Sequence, residues 1–242
     1  MWARIRWSPN AAFHAQYYLR HNQRRQEHLD SLDLPIAGAS VLEVAAGIGD
    51  HTSFFLDRGC TVVSTEGRSR NLARLRKNLM PFRNLYPTLE VRHLDLEHPV
   101  DLGQTFDIVY CYGALYHLCH PAEALAFMAR HCSKMLLLET CVSFGNTEAF
   151  NLVDELINHP TQSMVGRGCR PTRPWIHAQL RQHFDFVYIP RTQPNHEEFP
   201  LDWNAPPPPP EQNTRAVFIA SRQALENPKL TQELLAQQVR QG

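Results

Sequence analysis

Short apolar runs alternating with helices, a glycine-rich turn closing the first run, and acidic residues ending the first three runs predict an α/β protein. The expected core is a doubly wound, mostly parallel sheet, because strands buried on both faces read as continuous apolar runs and need crossover helices between them. The closing pair of strands predicts a C-terminal antiparallel hairpin, and the chain before the first strand predicts an added N-terminal helix.

Composition sets the class. The 242 residues carry 24 Lys+Arg against 24 Asp+Glu, and 43% are hydrophobic. This balance excludes a disordered or fibrous chain and supplies no overall field toward nucleic acid or an anionic membrane. No apolar run approaches the roughly 20 residues of a membrane span, and the basic start of the chain holds no uninterrupted apolar signal segment. A cytoplasmic protein with no membrane partner is therefore expected. Cys60, Cys111, Cys119, Cys132, Cys141 and Cys169 are scattered through apolar stretches without CxxC spacing, which predicts reduced core thiols and no metal site.

Ala11 to Asp30 contains no Pro or Gly and predicts one helix, capped by Ser8 or Asn10. Tyr17, His21, Arg24 and His28 form a stripe along it. Strands are predicted at Val41 to Ala46, Thr61 to Thr65, Leu89 to Leu94, Phe106 to Cys111 and Lys134 to Glu139. Helices are predicted between them at Asp50 to Arg58, Ser69 to Leu79 and Pro121 to His131, with Pro121 suited to a first turn. Glu148 to Asn158 reads as a helix, Gly166 to Pro174 as a loop, and Trp175 to His183 as a further helix. Phe184 to Ile189 and Arg215 to Ser221 supply the closing hairpin across a long proline-rich connection, and Lys229 to Gln241 reads as a final helix. Prolines outnumber glycines, 18 to 11, and concentrate after Asn158 while avoiding the five parallel strands, where each would cost a ladder hydrogen bond. The run Pro206 to Pro210 predicts an extended polyproline segment or a solvated spacer.

The ends of the strands carry the functional reading. Glu43-Val44-Ala45-Ala46-Gly47-Ile48-Gly49 runs from a strand into a helix, which is where open α/β sheets bind ligands. Glu66 ends the second strand 23 positions after Glu43, close to the spacing at which a carboxylate meets a ribose diol. Asp95 ends the third strand and is placed to accept from an adenine amino group or to cap a turn. Three carboxylates at neighbouring strand ends repel a pyrophosphate and favour a nucleoside with a cationic centre, and no Walker A lysine follows the glycines.

With these features, Glu43-x-Ala45-x-Gly47-x-Gly49, Glu66, Asp95-Leu96, Phe106 to Cys111 and Leu115-Tyr116-His117-Leu118 together resemble the class I S-adenosylmethionine-dependent methyltransferases. The resemblance covers about Val41 to Thr140 and implies a seven-stranded sheet with S-adenosyl-L-methionine as cofactor. It implies that Glu43 and the backbone of Ala45 to Gly49 meet the methionine end, that Glu66 holds the ribose, and that Asp95 with Leu96 holds the adenine. Cys111 and Tyr112 would lie beside the reactive methyl, and Gly67-Arg68 would extend the ribose end, with Arg68 over the adenine face or exposed. Ala45 departs from the family's usual glycine, and because alanine resists positive φ a slightly displaced loop is expected. Residues 1–38 would form a helical cap, 39–141 a cofactor half, and 142–242 an acceptor-side half.

Methyl transfer requires an aligned nucleophile and, for an acceptor that must lose a proton, a base. His117, with Tyr116 beside it, falls at the expected mouth of the site, with a helix-start packing role as the alternative. A metal bound by His117, Cys119 and His120 lacks a fourth ligand. Arg167, Arg170 and Arg173 lie on a Gly- and Pro-shaped loop that would either read an anionic group on the acceptor or pin itself to Glu155 or Asp185. Tyr17 and its stripe would form a lid over the cofactor pocket. The expected activity is methylation of an oxygen or nitrogen on a small or medium-sized acceptor, anionic if the loop arginines read it, with nucleic acid disfavoured as a partner. The alternatives are an RNA or protein methyltransferase using Arg4, Arg6, Arg20, Arg24 and Arg25 as a basic patch, a non-catalytic binding domain, and an NAD enzyme.

Overall fold

The structure is a computed structural model that describes residues 8–209 and 212–242, so Arg4, Arg6 and Pro210 lie outside the described residues. The N-terminal segment forms two helices, α1 (Pro9–Phe13) and α2 (Gln16–Ser31), instead of one. Ala15 stands between them with an extended backbone, φ −58° and ψ 140°, and turns the chain so that Phe13 is buried. No side chain caps α1; Pro9 occupies its first turn, where a missing N–H costs nothing.

The alternation then follows as predicted, through β1 (Ser40–Glu43), α3 (Thr52–Leu56), β2 (Thr61–Glu66), α4 (Ser69–Leu79), β3 (Glu90–His93), β4 (Phe106–Tyr112), α5 (Pro121–Arg130) and β5 (Cys132–Cys141). Beyond it lie β6 (Leu152–Asp154), β7 (Arg167–Cys169), α6 (Arg173–Arg181), β8 (Phe186–Pro190), β9 (Thr192–Gln193), β10 (Arg215–Ser221), β11 (Leu230–Thr231) and β12 (Val239–Arg240). The main sheet runs β11-β8-β10-β5-β4-β1-β2-β3. Strands β1 to β5 pair in parallel, while β10 is antiparallel to both β5 and β8. The expected seven strands thus gain an eighth, because β11 adds two residues to the edge of β8. The closing hairpin is inserted so that its second strand, β10, lies inside the sheet.

The two-residue period of the strands divides the core between the two faces. Leu42, Val109, Cys111, Leu136 and Phe218 pack with α5 and α6 on one side. Val41, Ile108, Tyr110, Leu137 and Val217 pack with Phe55, Leu75 and Leu29 on the other. Each large side chain buried in this way contributes about 1.5–3 kcal/mol.

Two predicted helices are absent. Glu148 to Asn158 is extended, because β6 pairs antiparallel with β7 and the Thr172 hydroxyl bridges Ala149 N and Thr147 O. That pairing also turns part of the predicted Gly166 to Pro174 loop into a strand. Lys229 to Gln241 forms two short strands joined by turns, with β12 parallel to β9. Its backbone is claimed by long-range partners: Arg173 donates to Leu235 O, Trp203 N to Ala236 O and Gln238 N to Leu201 O. Leu230 alone of the predicted apolar stripe is fully buried, so the tail packs as a strap across the sheet edge.

Candidate active site

A cleft enclosing about 940 Å³ of empty space, its open mouth included, lies outside the carboxyl ends of β1, β2 and β4. Its floor is the turn after β1, and this turn reaches a backbone form that alanine resists: Ala45 has φ +51°. The turn is held in that form by Val44 N donating to Tyr110 O and Ala46 N to Thr65 O. A left-handed alanine costs about 1–2 kcal/mol, so the departure from glycine appears as local strain.

The three carboxylates sit at the cleft with different neighbours. Glu43 is buried and accepts from Thr52 Oγ1 at 2.6 Å and Ser64 Oγ at 2.9 Å. Glu66 accepts from Gly47 N at 2.9 Å and Arg68 N at 2.7 Å. Burial outweighs these bonds and pushes both carboxyls up to about 7. Asp95 accepts from Glu97 N at 2.9 Å and lies beside His98, within a wall that includes Leu94 and Leu96. Asp95 therefore caps its turn while it lines the cleft.

Two added segments roof the cleft. From the N-terminal side come Phe13 of α1 and, each one position beyond the predicted stripe, Tyr18, Asn22 and Arg25 of α2. Tyr17 instead donates to Glu198, and its ring is half exposed; His21 and His28 are buried behind the wall, and Arg24 pairs with Glu27. From the acceptor side comes the excursion between β6 and β7, with Pro160 to Met164 lining the cleft. Arg68 ties this excursion down, donating Nη1 to Ile157 O at 2.9 Å and Nη2 to Gln162 O and Ser163 O at 3.0 Å. Asn71 Nδ2 adds a bond to Pro160 O at 2.8 Å.

Arg25 anchors an ionic network that the sequence reading missed. It donates to Glu139 at 2.7 Å, and Glu139 also accepts from Arg215 at 3.0 Å. Arg215 continues to Glu198 at 2.5 Å. A side chain on Gly113 would meet Arg25 Nη1 at 2.8 Å, so the glycine admits the guanidinium against the end of β4. The readable signal was Glu139, a carboxylate closing an otherwise apolar buried strand, since a buried charge requires a partner.

The remaining predicted residues separate clearly. His117 lines the cleft, with Nδ1 at 2.5 Å from Glu155 Oε2, and burial holds its pKa below the ordinary histidine value. Tyr116 does not line the cleft. Its hydroxyl accepts from Arg215 at 3.1 Å, and burial raises its pKa. Tyr112 lines the cleft, whereas Cys111 faces the core and burial raises its thiol to about 12. This follows from strand alternation, which sends adjacent residues to opposite faces. Gly49 packs against Leu75 and Leu79 of α4, outside the lining, while Ala45, Gly47, Gly67 and Arg68 are part of it.

None of the loop arginines reaches the cleft. Arg167 is exposed near Asp154; Arg170 donates to Cys169 O at 2.8 Å, bonds Glu155 at 3.4 Å and stacks on Tyr116. Arg173 lies 4.1 Å over the Trp203 ring. The pinning alternative accounts for Arg170.

Among the described residues, His21, His196 and Glu198 bring one metal-type donor each within 4.8 Å of one another. Glu198 already accepts from Tyr17, Asn213 and Arg215, and the Arg25 and Arg215 guanidinium charges act on His21, which opposes a dication there. His117 and His120 turn to different carboxylates, Glu155 and Glu97.

The cleft also holds buried polar atoms without a protein partner: Tyr112 Oη, His51 Nε2, Asp50 Oδ2, Asn71 Oδ1 and Arg25 Nε. Unpaired buried groups are costly, so a ligand with polar groups along its length fits this lining. Residues 41–135 match the model of a methyltransferase domain family. No curated protein matches the chain significantly. Similar solved structures include the N-terminal domain of EvdMO1 in the presence of S-adenosylhomocysteine and D-fucose, 20% identical at TM-score 0.60, covering 86% of this chain and 84% of that one. The glycopeptide N-methyltransferase MtfA complexed with S-adenosylmethionine is 17% identical at TM-score 0.54, covering 82% and 92%. Magnesium protoporphyrin IX methyltransferase from Synechocystis PCC 6803, with bound S-adenosylhomocysteine, is 14% identical at TM-score 0.57, covering 86% and 88%. Residues 41–135 thus carry the match to a methyltransferase domain, and the similar structures share the fold. No helix among the described residues is long and apolar enough to cross a membrane.

Proposed function

We propose that the protein methylates an oxygen or nitrogen on a small or medium-sized acceptor, with His117 as the group that takes the acceptor's proton. The observation that carries this reading is His117 at the cleft wall, kept neutral by burial, with Nδ1 held by Glu155 and no partner on Nε2 among the described residues. A neutral imidazole with one nitrogen bound and the other free suits proton acceptance. S-adenosylmethionine, when bound, would supply an electrophilic methyl group on its sulfonium.

The chain's own residues bind, orient and enclose. Glu66 offers carboxylate oxygens to the ribose hydroxyls, and Asp95 with Leu96 flanks the adenine. The turn from Ala45 to Gly47 and the free polar atoms of Asp50 and His51 take the methionine end. Tyr112 and His117 flank the mouth, while Phe13, Tyr18 and Met164 exclude water from it. The similar structures carry a sugar, a glycopeptide and a porphyrin in their names, which supports an acceptor of this size range. Roofing segments on both sides favour a compact acceptor over a nucleic acid strand.

The test is transfer of label from S-adenosylmethionine into the small-molecule fraction of a cell extract, with His117→Ala as control. Labelled product from the native chain and a loss of at least about 100-fold in the variant are expected, since general-base catalysis supplies about 10²–10⁴-fold. Equal labelling by both removes His117 as the base, and labelling confined to protein or RNA removes the small acceptor.

A further inference from the structure

Glu155 stands outside the cofactor half, on the excursion that roofs the cleft, yet its carboxylate reaches the edge of His117. Its side chain is nearly sealed from solvent and is fully engaged. Oε2 contacts His117 Nδ1 at 2.5 Å and accepts from Ser163 N at 2.7 Å, while Oε1 faces Arg170 Nη1 at 3.4 Å. The space for it is built in: a side chain on Gly168 would meet Glu155 Oε1 at 2.7 Å and Tyr116 O at 2.4 Å. Ser163 itself lines the cleft, and its carbonyl is one of the three held by Arg68. One carboxylate oxygen therefore joins the proposed base to the segment that encloses the cofactor.

We infer that Glu155 is a positioning residue that fixes His117 as the Nδ1–H tautomer and does so only when the 155–166 excursion is folded over the cleft. This rests on the reading of His117 as the proton acceptor. Glu155 accepts from Nδ1–H, which leaves the Nε2 lone pair toward the cleft. When the acceptor's proton moves to Nε2, the resulting imidazolium faces an adjacent carboxylate, and the proton is later released to solvent. Burial raises the carboxyl, but His117, Ser163 and Arg170 outweigh it and hold Glu155 ionised below its ordinary range. The other charges acting on His117 are Arg170 and Arg215, both of which oppose its protonation, so Glu155 is the one group stabilising the imidazolium. Closing the roof and arming the base are then one event, which withholds the base until the cofactor is enclosed.

The test is nitrogen-15 NMR of the histidine rings in protein saturated with S-adenosylhomocysteine, with the His117 signals assigned by their loss in His117→Asn. The inference predicts a single Nδ1–H tautomer for His117. In Glu155→Gln it predicts a tautomer mixture and an apparent pKa lowered by about one unit, because a carboxylate neighbour is removed. Glu155→Asp retains the charge on a shorter arm, and its pKa is expected between the two. Thermal melting and S-adenosylhomocysteine titration establish that each variant is folded, with affinity within about threefold of native. An Nε2–H tautomer in the native protein, or tautomer and pKa unchanged in Glu155→Gln, overturns the inference whatever the role of His117. Label transfer into the small-molecule extract separates the two failures. Full activity in His117→Ala removes the base and the positioning role with it; loss in His117→Ala with native activity in Glu155→Gln removes the positioning role alone.

Discussion

Residues 39–141 and the segments added around them hold their polar groups over very different distances along the chain. In the first, Glu66 is bonded by Gly47 and Arg68, 19 and 2 positions away, and Glu43 by Thr52 and Ser64, 9 and 21 away. In the second, Arg25 meets Glu139 across 114 positions, Arg68 meets Gln162 across 94 and His117 meets Glu155 across 38. The cofactor floor is thus assembled by neighbouring strand ends, whereas the roof is assembled by side chains far apart along the chain. The floor offers the chemistry of binding and the roof offers enclosure.

Breaking the roof's anchor has the largest expected effect. Glu139→Ala leaves Arg25 and Arg215 buried without their shared carboxylate, and a loss of about 3–5 kcal/mol in unfolding free energy is expected from denaturant melts. A loss under about 1 kcal/mol would show the network to be incidental to the fold.

Arg68→Ala tests the link between floor and roof that holds the most carbonyls. Three carbonyls lose a donor while the floor's carboxylates keep their other partners, so S-adenosylhomocysteine is expected to dissociate about tenfold faster with little change in melting temperature. Unchanged dissociation in stopped-flow would mean that the excursion does not enclose the ligand.

The floor carries a pH signature of its own. Burial raises Glu43 and Glu66 to about 7, so the ligand-free fold takes up protons that the unfolded chain has already released. Its stability therefore falls as pH rises from the ordinary carboxylate range toward 7. On the proposed reading, ribose hydroxyls would donate to the ionised form of Glu66, so binding would expel a proton. Affinity is expected to rise by up to about tenfold per unit as pH approaches 7 and to level above it. Calorimetry in buffers of different ionisation enthalpy reads the released proton directly, and an affinity flat from pH 6 to 8 contradicts this assignment.

The smallest change is Ala45→Gly, which relieves the left-handed alanine but frees the unfolded chain. A net stabilisation of about 0.5–1 kcal/mol is expected, and a destabilised variant would show that the Ala45 methyl contributes packing worth more than the strain.

The same contrast governs how much could be read before the structure. The five parallel strands, their helices and the carboxylates Glu43, Glu66 and Asp95 are visible as local periodicity and spacing. The lid helix was also visible, but its facing side was set one position off, at Tyr17 rather than Tyr18, because the break at Ala15 rotates everything after it. Glu148 to Asn158 and Lys229 to Gln241 have helical patterns that strand pairing and long-range capping override. Arg170 was legible as a guanidinium on a shaped loop with Glu155 or Asp185 as its partner, and the hairpin of β6 and β7 selects Glu155. Cys111 was misplaced by assuming that neighbours at a strand end share a face.

The central claim is that an adenosyl cofactor sits on the floor with Glu66 holding its ribose. Calorimetric titration of S-adenosylhomocysteine into the native chain and into Glu66→Ala tests it most directly, with NAD as the control ligand. One-to-one binding by the native chain, at least about 100-fold weaker binding by the variant and no binding of NAD are predicted, because the variant loses a paired charge-assisted contact. Equal affinity in the two proteins, or no adenosyl binding by the native chain, would contradict the account.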